Sequence, residues 1–323
     1  MTGSRAQARI AFFGLPGAFA RVSLQALCRF DLRPSLVIEG LERDRPPPRD
    51  DSRLFKASEG RGLPARLGLG GWLRRPPGGL VEDAQTLGID AVRTGNANAH
   101  RTRRWLTELS PDLLIVCGFH HLLAPPLLEL SRRGGLNLHP GRLPDERGPA
   151  PLFWALKEGR TRIDWTLHVL DEGEDTGDVV QTGSVDTEAG DRGLAILEAI
   201  ATAAAPALVR TVRAALDGDL VRIPQASPTR PRHPRPRFRD GRIEPDRPAE
   251  AVYTFVAGCA GRYPLFVESA GDRFFVADAL SFDGEASLAF DYVLTGDRLL
   301  LRCQPGLVEL LLKEDGALFA PDY

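Results

Sequence analysis

The chain has 323 residues, of which 43% are hydrophobic, and its formal net charge is -2. This length suits two domains better than one, and the hydrophobic fraction is sufficient for folded cores rather than a disordered chain. The near-zero charge excludes a strong overall attraction to nucleic acid or membrane surfaces. The sequence shows no N-terminal apolar leader of an exported protein and no apolar run long enough for a membrane span. We therefore expect a cytoplasmic protein.

The cysteines are widely scattered and lack the paired spacing of a zinc site. There are four of them, Cys28, Cys117, Cys259 and Cys303. This pattern predicts reduced thiols and no structural metal. Three lie in apolar or strand-like runs and read as small core residues, whereas the surroundings of Cys259 leave its role open.

The N-terminal part predicts a βαβ unit. An apolar strand pattern over residues 9–15 precedes a Gly-Pro-Gly turn, a helix over 22–30 and a strand over 32–38. This order is typical of a doubly wound α/β fold. Gly14 and Gly17 do not complete a G-x-G-x-x-G motif, so no dinucleotide site is predicted, and a turn of this kind often only reverses the chain.

Residues 42–79 are rich in Arg, Pro and Gly and exceed the length of an ordinary connection. Acidic residues are interleaved with the arginines. Two interpretations stay open, a mobile solvated loop and a lid that covers a substrate.

Helices are predicted over residues 80–87 and 100–109, with a short strand over 89–92 between them. The continuous apolar run 112–119 predicts a central strand. It ends at His120 and His121. Such a pair can indicate a metal site, but no third ligand follows at a suitable spacing, so we predict no metal.

Residues 134–180 carry the chemistry. Asn137 and His139 lie two apart at the end of a short strand pattern and therefore project to the same face. A Pro- and Gly-rich loop, a helix over 151–158, a strand over 163–170 and an acidic turn with Asp175 follow. An amide can donate to an oxyanion, an imidazole can move a proton and a carboxylate can orient the imidazole. The set predicts a site for acyl-type transfer.

Each of these residues also has a structural interpretation. Asn137 could cap the loop, His139 could be a satisfied core imidazole, and Asp175 could belong to an ordinary Asx turn. His168 either lines the acceptor side or packs in the interior. Arg147 is expected to order its loop rather than to take part in catalysis.

The remaining chain predicts a strand over 178–185, a long Ala-rich helix over 191–216 closed by Gly218, and a linker. Residues 222–247 hold eight Arg against three acidic residues. This composition favours an extended, solvated connector, with phosphate contact as the alternative. A helix over 246–261 and short alternating strands after it predict a small β-barrel.

The segments NLHPGRLPDERGPAP and TLHVLDEGEDTGD resemble the signature of the 10-formyltetrahydrofolate-dependent formyltransferases. That family includes glycinamide ribonucleotide, methionyl-tRNA and amino-sugar-nucleotide enzymes. Its pattern is an N-x-H pair at a strand end, an LP-x-x-RG-x-x-P loop and a D-x-G-x-D-[TA]-G turn, which occur here in that order. Gly141 and Arg142 stand where many relatives have Ser-Leu.

The resemblance implies a Rossmann-like doubly wound catalytic domain over residues 1–218, a linker over 219–248 and an OB-like C-terminal β-barrel domain over 249–323. It implies 10-formyltetrahydrofolate as co-substrate and sets the Gly14 turn beside the substrate cleft. It assigns catalysis to Asn137, His139 and Asp175. It assigns folate contacts to four residues after the central strand, Phe119, His121, Leu122 and Leu123.

The expected reaction is formyl transfer to an amine of a small molecule, either an amino-sugar nucleotide or a specialised-metabolite amine. Residues 262–323 hold five Lys or Arg against eleven Asp or Glu, which disfavours docking of tRNA phosphates. His168 in Thr-Leu-His also resembles the small-molecule members. The alternatives are a methionyl-tRNA formyltransferase, a hydrolase that releases formate from the same folate, and a non-catalytic binding module. The intact Asn137, His139 and Asp175 argue against the last. No feature of the sequence specifies an oligomeric state.

Overall fold

A computed structural model of the chain describes residues 7–41, 79–269 and 271–313. The chain divides into two compact units. The first comprises Met1–Arg147, Asp164–Gly183 and Leu197–Pro231, and the second comprises Gly148–Ile163, Ser184–Ile196 and Arg232–Tyr323. These units are interleaved along the sequence and do not correspond to sequential domains, so the predicted division at residues 218 and 248 stays a prediction. The two interpretations of the loop after residue 41 concern residues 42–78, which lie outside the described part.

The larger sheet has seven strands in the order β3-β2-β1-β4-β5-β6-β7. Its strands are β1 (Ile10–Gly14), β2 (Leu36–Gly40), β3 (Asp90–Thr94), β4 (Leu113–Cys117), β5 (Gly135–His139), β6 (Arg162–Val169) and β7 (Val179–Asp186). Strands β1 to β5 pair in parallel, and β6 runs antiparallel to β5. The strand order reverses between β1 and β4. In such sheets ligands bind beyond the carboxyl ends of the strands at this reversal.

Seven helices accompany the sheets in the described residues. They are α1 (Ala18–Arg29), α2 (Leu80–Thr86), α3 (His100–Leu109), α4 (Pro125–Leu128), α5 (Pro151–Lys157), α6 (Gly193–Asp217) and α7 (Ala249–Cys259). The predicted helices are present, and α3 has the predicted bounds. The short α4 was not predicted, because it consists of a single turn. Gly218 follows α6 at φ 88°, the left-handed conformation that favours glycine at a helix end.

The core of the first unit lies along β1, β2 and β4, whose residues are all buried. A continuous apolar run is required of these strands because both faces of a central parallel sheet are covered. The central cluster contains Ala11, Phe13, Leu36, Ile38, Val92, Ala97, Leu106, Leu114, Val116, Leu123 and Leu127.

The second unit contains a six-stranded sheet in the order β11-β12-β13-β10-β9-β8. Its strands are β8 (Arg242–Ile243), β9 (Leu265–Ser269), β10 (Asp272–Asp283), β11 (Tyr292–Thr295), β12 (Arg298–Arg302) and β13 (Leu307–Leu312). Phe153 of α5 packs edge-on against Phe255 of α7, with ring centroids 5.6 Å apart. The expected fold class, a mixed α/β sheet followed by a C-terminal β-rich part, is confirmed. Closure of the second sheet into a barrel stays a prediction.

The Arg-rich segment after α6 is more structured than an extended connector. Ile223 pairs with Val179 through two backbone hydrogen bonds of 2.8 Å. Further on, residues Phe238–Gly241 form a 3₁₀ turn that leads into β8. Most side chains of residues 226–235 are exposed, and the interpretation of residues 219–248 as a linker stays a prediction.

All four cysteines are free thiols. Cys117, Cys259 and Cys303 are buried, and Cys28 is half-buried. Burial raises the pKa of Cys117 and Cys259 to about 12. The question left open for Cys259 is thereby answered, because it packs as a small apolar residue on α7.

Helix α6 is long and apolar enough, by length and composition alone, to cross a membrane. Half of its apolar window is buried inside the protein, as expected for a core helix. One such helix is weak evidence for a membrane span, and the expectation of no span stays a prediction.

Glu39 is a buried charge at the carboxyl end of β2. Its side chain is 4% exposed, and Arg93 Nε of β3 donates to Oε1 over 2.7 Å. The backbone N–H of Val81, in the first turn of α2, donates to Oε2 over 2.8 Å. This carboxylate therefore compensates the Arg93 charge and caps a helix whose N-terminal residue, Gly79, provides no side-chain cap.

We expect Glu39→Ala to lower the free energy of unfolding by about 2 kcal/mol, because it removes the hydrogen bonds that this carboxylate accepts from Arg93 and from the Val81 N–H, while Arg93 keeps its bond to Glu82. Urea unfolding followed by circular dichroism measures the change. The matched control is Glu108→Ala, which removes an exposed pair with Arg104 and should leave the free energy of unfolding almost unchanged. Equal losses in the two variants would contradict the structural role of Glu39.

Candidate active site

The sheet brings together the three residues that the sequence singled out for catalysis. Asn137 and His139 lie on β5, and the antiparallel register places His168 of β6 opposite Asn137. After β6 the acidic turn returns Asp175 to the same place. The Asp175 carboxylate oxygen Oδ1 lies 3.4 Å from Asn137 Nδ2 and 3.5 Å from His139 Nδ1.

His168 is the fourth member of this cluster. Its Nε2 lies 3.0 Å from Asn137 Nδ2 and 3.5 Å from Asp175 Oδ1. The His168 side chain is 2% exposed, and the side chains of His139 and Asp175 are 5% and 11% exposed. Three nitrogen atoms therefore surround one carboxylate oxygen in a site nearly closed to bulk water, where electrostatic interactions are stronger than in solution.

A backbone carbonyl determines the tautomer of His139. Its Nε2 lies 2.7 Å from the carbonyl oxygen of Glu146, and a carbonyl oxygen only accepts. Nε2 must therefore carry a hydrogen, which leaves Nδ1 facing Asp175. A proton on Nδ1 converts the ring to an imidazolium whose charge is opposite the carboxylate, whereas a bare Nδ1 would set a lone pair against it.

The same argument applies to His168. Its Nδ1 donates to the carbonyl oxygen of Val169 over 2.9 Å. In the neutral ring Nε2 then carries the lone pair, which accepts a hydrogen from Asn137 Nδ2. As neutral rings the two imidazoles are thus held in opposite tautomers: His168 accepts at Nε2, and His139 donates from Nδ1 only when the ring is protonated. Such a pair can move a proton between two sites.

Two side chains hold the loop after β5. Thr166 Oγ1, opposite His139, donates to Gly141 O over 2.8 Å and accepts from Leu143 N over 3.2 Å. Arg142 and Glu146 exchange backbone and side-chain bonds of 2.7 Å each, since Glu146 N donates to the Arg142 carbonyl and Arg142 N donates to Glu146 Oε2. Glu146 is buried, at 3% exposure. The carbonyl that fixes His139 is therefore itself fixed.

The acidic turn is built around Asp171. Its Oδ1 accepts from Gly173 N over 3.1 Å and from Thr176 Oγ1 over 2.7 Å. A Cβ on Gly177 would lie 1.9 Å from the Val169 carbonyl oxygen, so only glycine fits there. Asp175 has φ 57°, in the left-handed region that Asp tolerates better than most residues. The shape of the turn therefore accounts for Asp171 and Gly177, and Asp175 tolerates the conformation that it requires.

The four residues assigned to folate contacts follow β4, next to the end of β5, since Cys117 pairs with Leu138. Phe119 packs edge-on against Phe13 at 5.4 Å. Leu122 is half exposed, whereas the Leu123 side chain is buried in the core and can offer a ligand only its backbone. His121 stacks near Phe119 at 5.7 Å. The four residues are adjacent to the strand-order reversal, and their ligand contacts stay a prediction.

Asn98 holds this turn in place. Its Nδ2 donates to the Leu122 carbonyl over 2.9 Å, and its Oδ1 accepts from Ala124 N over 2.8 Å. Among residues 7–41, 79–269 and 271–313, no group of three or more His, Cys, Asp or Glu has the arrangement of a metal site.

Sequence reasoning missed the residues that support the cluster. Glu146 and Thr166 act through hydrogen bonds that depend on strand register and loop closure. Gln225, far along the chain, donates to the carbonyl oxygens of Asp175 and Gly177. Two signals were available in the sequence. Glu146 lies in the loop that begins with His139-Pro-Gly, and Thr166 lies two residues before His168 and therefore on the same face of its strand. Gln225 lies in a segment whose composition predicted only a connector.

The family model described as "Formyl transferase" matches residues 76–212. A methionyl-tRNA formyltransferase of Synechococcus sp. (strain JA-3-3Ab) is 30% identical over 253 residues, which cover 76% of this chain and 69% of that protein. The methionyl-tRNA formyltransferase of Anaeromyxobacter dehalogenans (strain 2CP-1 / ATCC BAA-258) is 32% identical over 244 residues, covering 76% and 70%.

Among solved structures, an N-formyltransferase from Helicobacter canadensis, in complex with folinic acid and dTDP-3-aminofucose, superposes with a TM-score of 0.62. It is 12% identical, and the alignment covers 95% of this chain and all of that one, at 100%. This likeness extends the common fold over nearly the whole chain. With the family model and the two relatives, it confirms the resemblance seen in the sequence: the chain belongs to the formyltransferase family.

Proposed function

We propose that this enzyme transfers a formyl group from 10-formyltetrahydrofolate to the amine of a small molecule. The observation that carries the proposal is the convergence of Asn137 Nδ2 and His139 Nδ1 on one point, now occupied by Asp175 Oδ1, at 3.4 and 3.5 Å. Two donors that converge on an anionic oxygen are the arrangement that stabilises a developing oxyanion.

A folate donor fits the position of the predicted pocket. The turn 119–123 follows β4 beside the strand-order reversal, where open α/β sheets bind ligands. Phe119 offers an aromatic face for a flat ring, and the buried side chain of Leu123 leaves its backbone groups for hydrogen bonds. The Helicobacter canadensis enzyme was solved with folinic acid, and HypX from Aquifex aeolicus was solved with tetrahydrofolic acid. We propose the same class of co-substrate here.

In the proposed reaction the neutral amine attacks the formyl carbon, a new C–N bond forms and the formyl oxygen becomes an oxyanion. Asn137 and the His139 imidazolium donate to that oxygen, and Asp175 balances the imidazolium charge. The Asn137–Asp175 bond of 3.4 Å is the longer of the two that the amide donates, so it is the one that the oxyanion replaces.

A proton must then pass from the attacking nitrogen to N10 of the folate as the old C–N bond breaks. His168 Nε2, 3.5 Å from Asp175 Oδ1, accepts this proton from the attacking nitrogen and returns it to N10, or a water held by Asp175 carries it.

A small acceptor is favoured by the charges of the second unit. The arginines on its sheet are paired with acids on the same sheet: Arg273 with Glu268, Arg298 with Glu309 and Arg302 with Asp291. Binding of tRNA depends on Lys and Arg that neutralise phosphates, and arginines paired in this way are poorly placed for that role. We therefore propose an amino-sugar nucleotide or a specialised-metabolite amine as the acceptor class.

Methionyl-tRNA is the second candidate. The relatives that are 30% and 32% identical are named methionyl-tRNA formyltransferases, and the segment 222–247 is rich in arginine. A formate-releasing hydrolase is the third, because water can replace the amine in the same site. A cytoplasmic location stays a prediction in all three cases.

The first experiment measures tetrahydrofolate formation from 10-formyltetrahydrofolate with amino-sugar nucleotides, free amines and methionyl-tRNA. We expect turnover with a small amine and none above background with the tRNA. Formate is measured in parallel without an acceptor. Turnover with tRNA alone would select the second candidate, and formate release independent of amine would select the hydrolase. Failure to bind the folate would overturn the donor assignment.

The second experiment tests the cluster. We expect His139→Gln to lower kcat by a factor of about 10² to 10³, since it removes an oxyanion donor and its charge, with a smaller change in KM for the folate. We expect His168→Gln to lower kcat by about 10² through the lost proton acceptor. The control is His100→Gln, an exposed residue of α3.

A further inference from the structure

The segment 223–229 contacts both loops of the proposed catalytic site. Ile223 pairs with Val179, just after the acidic turn, and Thr229 reaches the loop after β5. Asp145 Oδ1 accepts from Thr229 N over 2.7 Å and from Thr229 Oγ1 over 2.8 Å. The hydrogen bond from the Thr229 N–H lowers the pKa of the Asp145 carboxyl. Asp145 immediately precedes the residue whose carbonyl holds His139.

Gln225 lies in the middle of this segment and makes the most specific contact. Its Nε2 donates one hydrogen to the Asp175 carbonyl over 2.9 Å and the other to the Gly177 carbonyl over 2.7 Å. Carbonyl oxygens only accept, so the amide orientation is unambiguous. Both hydrogens of one side chain are thus committed to the two residues on either side of Thr176.

The turn needs such support because its backbone is under constraint. Asp175 is held at φ 57°, a conformation that costs a non-glycine residue free energy unless its surroundings hold it there. At Gly177 the backbone approaches the Val169 carbonyl too closely for any side chain. The Asp175 carbonyl cannot turn away from Gln225 without rotation of the Asp175 backbone, which also carries the carboxylate that faces His139.

We propose that Gln225 is a positioning residue for formyl transfer, which fixes the Asp175 backbone so that Oδ1 stays among the three nitrogens of the cluster. This inference rests on the proposed function for its kinetic consequence. The Gln225 amide donates to the backbone of the acidic turn and not to the side chains of the cluster, so it acts on the cluster through the turn. The arginine-rich segment thereby contributes to the catalytic site through an uncharged residue.

Two variants test the proposal. Gln225→Met keeps the shape of the side chain but donates no hydrogen. We expect it to lower kcat by a factor of about 10 to about 100, as a displaced catalytic group does, with KM for the folate within about threefold of the wild type. Gln225→Glu sets a carboxylate against two carbonyl oxygens at neutral pH and should be at least as impaired as Gln225→Met.

The pH dependence separates positioning from a general structural role. A protonated carboxylic acid can donate one hydrogen, so the activity of Gln225→Glu relative to the wild type should rise as pH falls through the pKa of the new carboxyl. The neighbouring carbonyls and Asp175 disfavour its charged form and raise that pKa above the usual range for Glu. The relative activity of Gln225→Met should not change with pH. A flat ratio for both variants would overturn the proposal.

Gln181 supplies a matched control. It lies on β7, away from the acidic turn, and Arg210 Nη2 lies 3.5 Å from its Oε1. Gln181→Met and Gln181→Glu should both retain wild-type kcat. Loss of activity in these variants equal to that at Gln225 would indicate a general sensitivity of the region and would contradict a specific role.

A second readout does not depend on turnover. The chain has six histidines, so the ring signals of His139 and His168 can be assigned by NMR with single His→Gln variants. We expect Gln225→Met to shift both signals and to leave that of the exposed His100 unchanged. If the wild type forms no product with any acceptor, the proposed function fails, but the ring signals still test whether Gln225 positions the acidic turn. If the wild type turns over and Gln225→Met changes neither the ring signals nor kcat, the positioning role of Gln225 is refuted and the proposed function stands.

Discussion

The hydrogen bond from His139 Nε2 to the Glu146 carbonyl is the interaction on which the proposed chemistry depends. It commits one ring nitrogen to the backbone and leaves the other as the only nitrogen that can face a substrate. It places the lone pair of the neutral ring on Nδ1, so His139 donates from Nδ1 only as the imidazolium, which carries hydrogens on both nitrogens. The bond also links catalysis to loop geometry, since any motion of the loop after β5 moves the acceptor of this hydrogen.

Backbone carbonyls fix one ring hydrogen on each histidine of the site. His139 and His168 each donate one ring hydrogen to a carbonyl, so their tautomers are opposite. Asp175 supplies the negative charge that both rings face. Because the cluster is nearly closed to water, one carboxylate oxygen can stabilise a protonated imidazole and a polar amide at once, which in water would be a much weaker effect.

Much of this could be predicted from the sequence, and the reasons are physical. The buried parallel strands were visible as continuous apolar runs, and Asn137 and His139 were related by the two-residue period of a strand. The acidic turn was visible because its glycines and carboxylates occur at fixed spacing. These signals are local, and each can be read within a window of about ten residues.

The support of the site could not be predicted in this way. Glu146 holds His139 through its backbone oxygen, which every residue type has, and its side chain accepts from Arg142 N only once the loop has closed, so neither contact could be read from the sequence. Gln225 is 50 positions from Asp175 in the sequence, and the pairing of Ile223 with Val179 places it beside the turn. The arginines around it dominated the composition and predicted a connector. Long-range contacts made by a single uncharged side chain leave no periodic trace in a sequence.

The return of the chain across the acidic turn after α6 has a consequence for how the protein can be dissected. A fragment that ends with α6 at Asp217 would keep every residue of the catalytic signature and the whole seven-stranded sheet. It would nevertheless lack the short β-bridge at Ile223 and the amide that spans the turn. A piece that keeps these contacts therefore extends past Thr229, and a domain boundary drawn at the end of α6 would separate the proposed reacting groups from the segment that holds them.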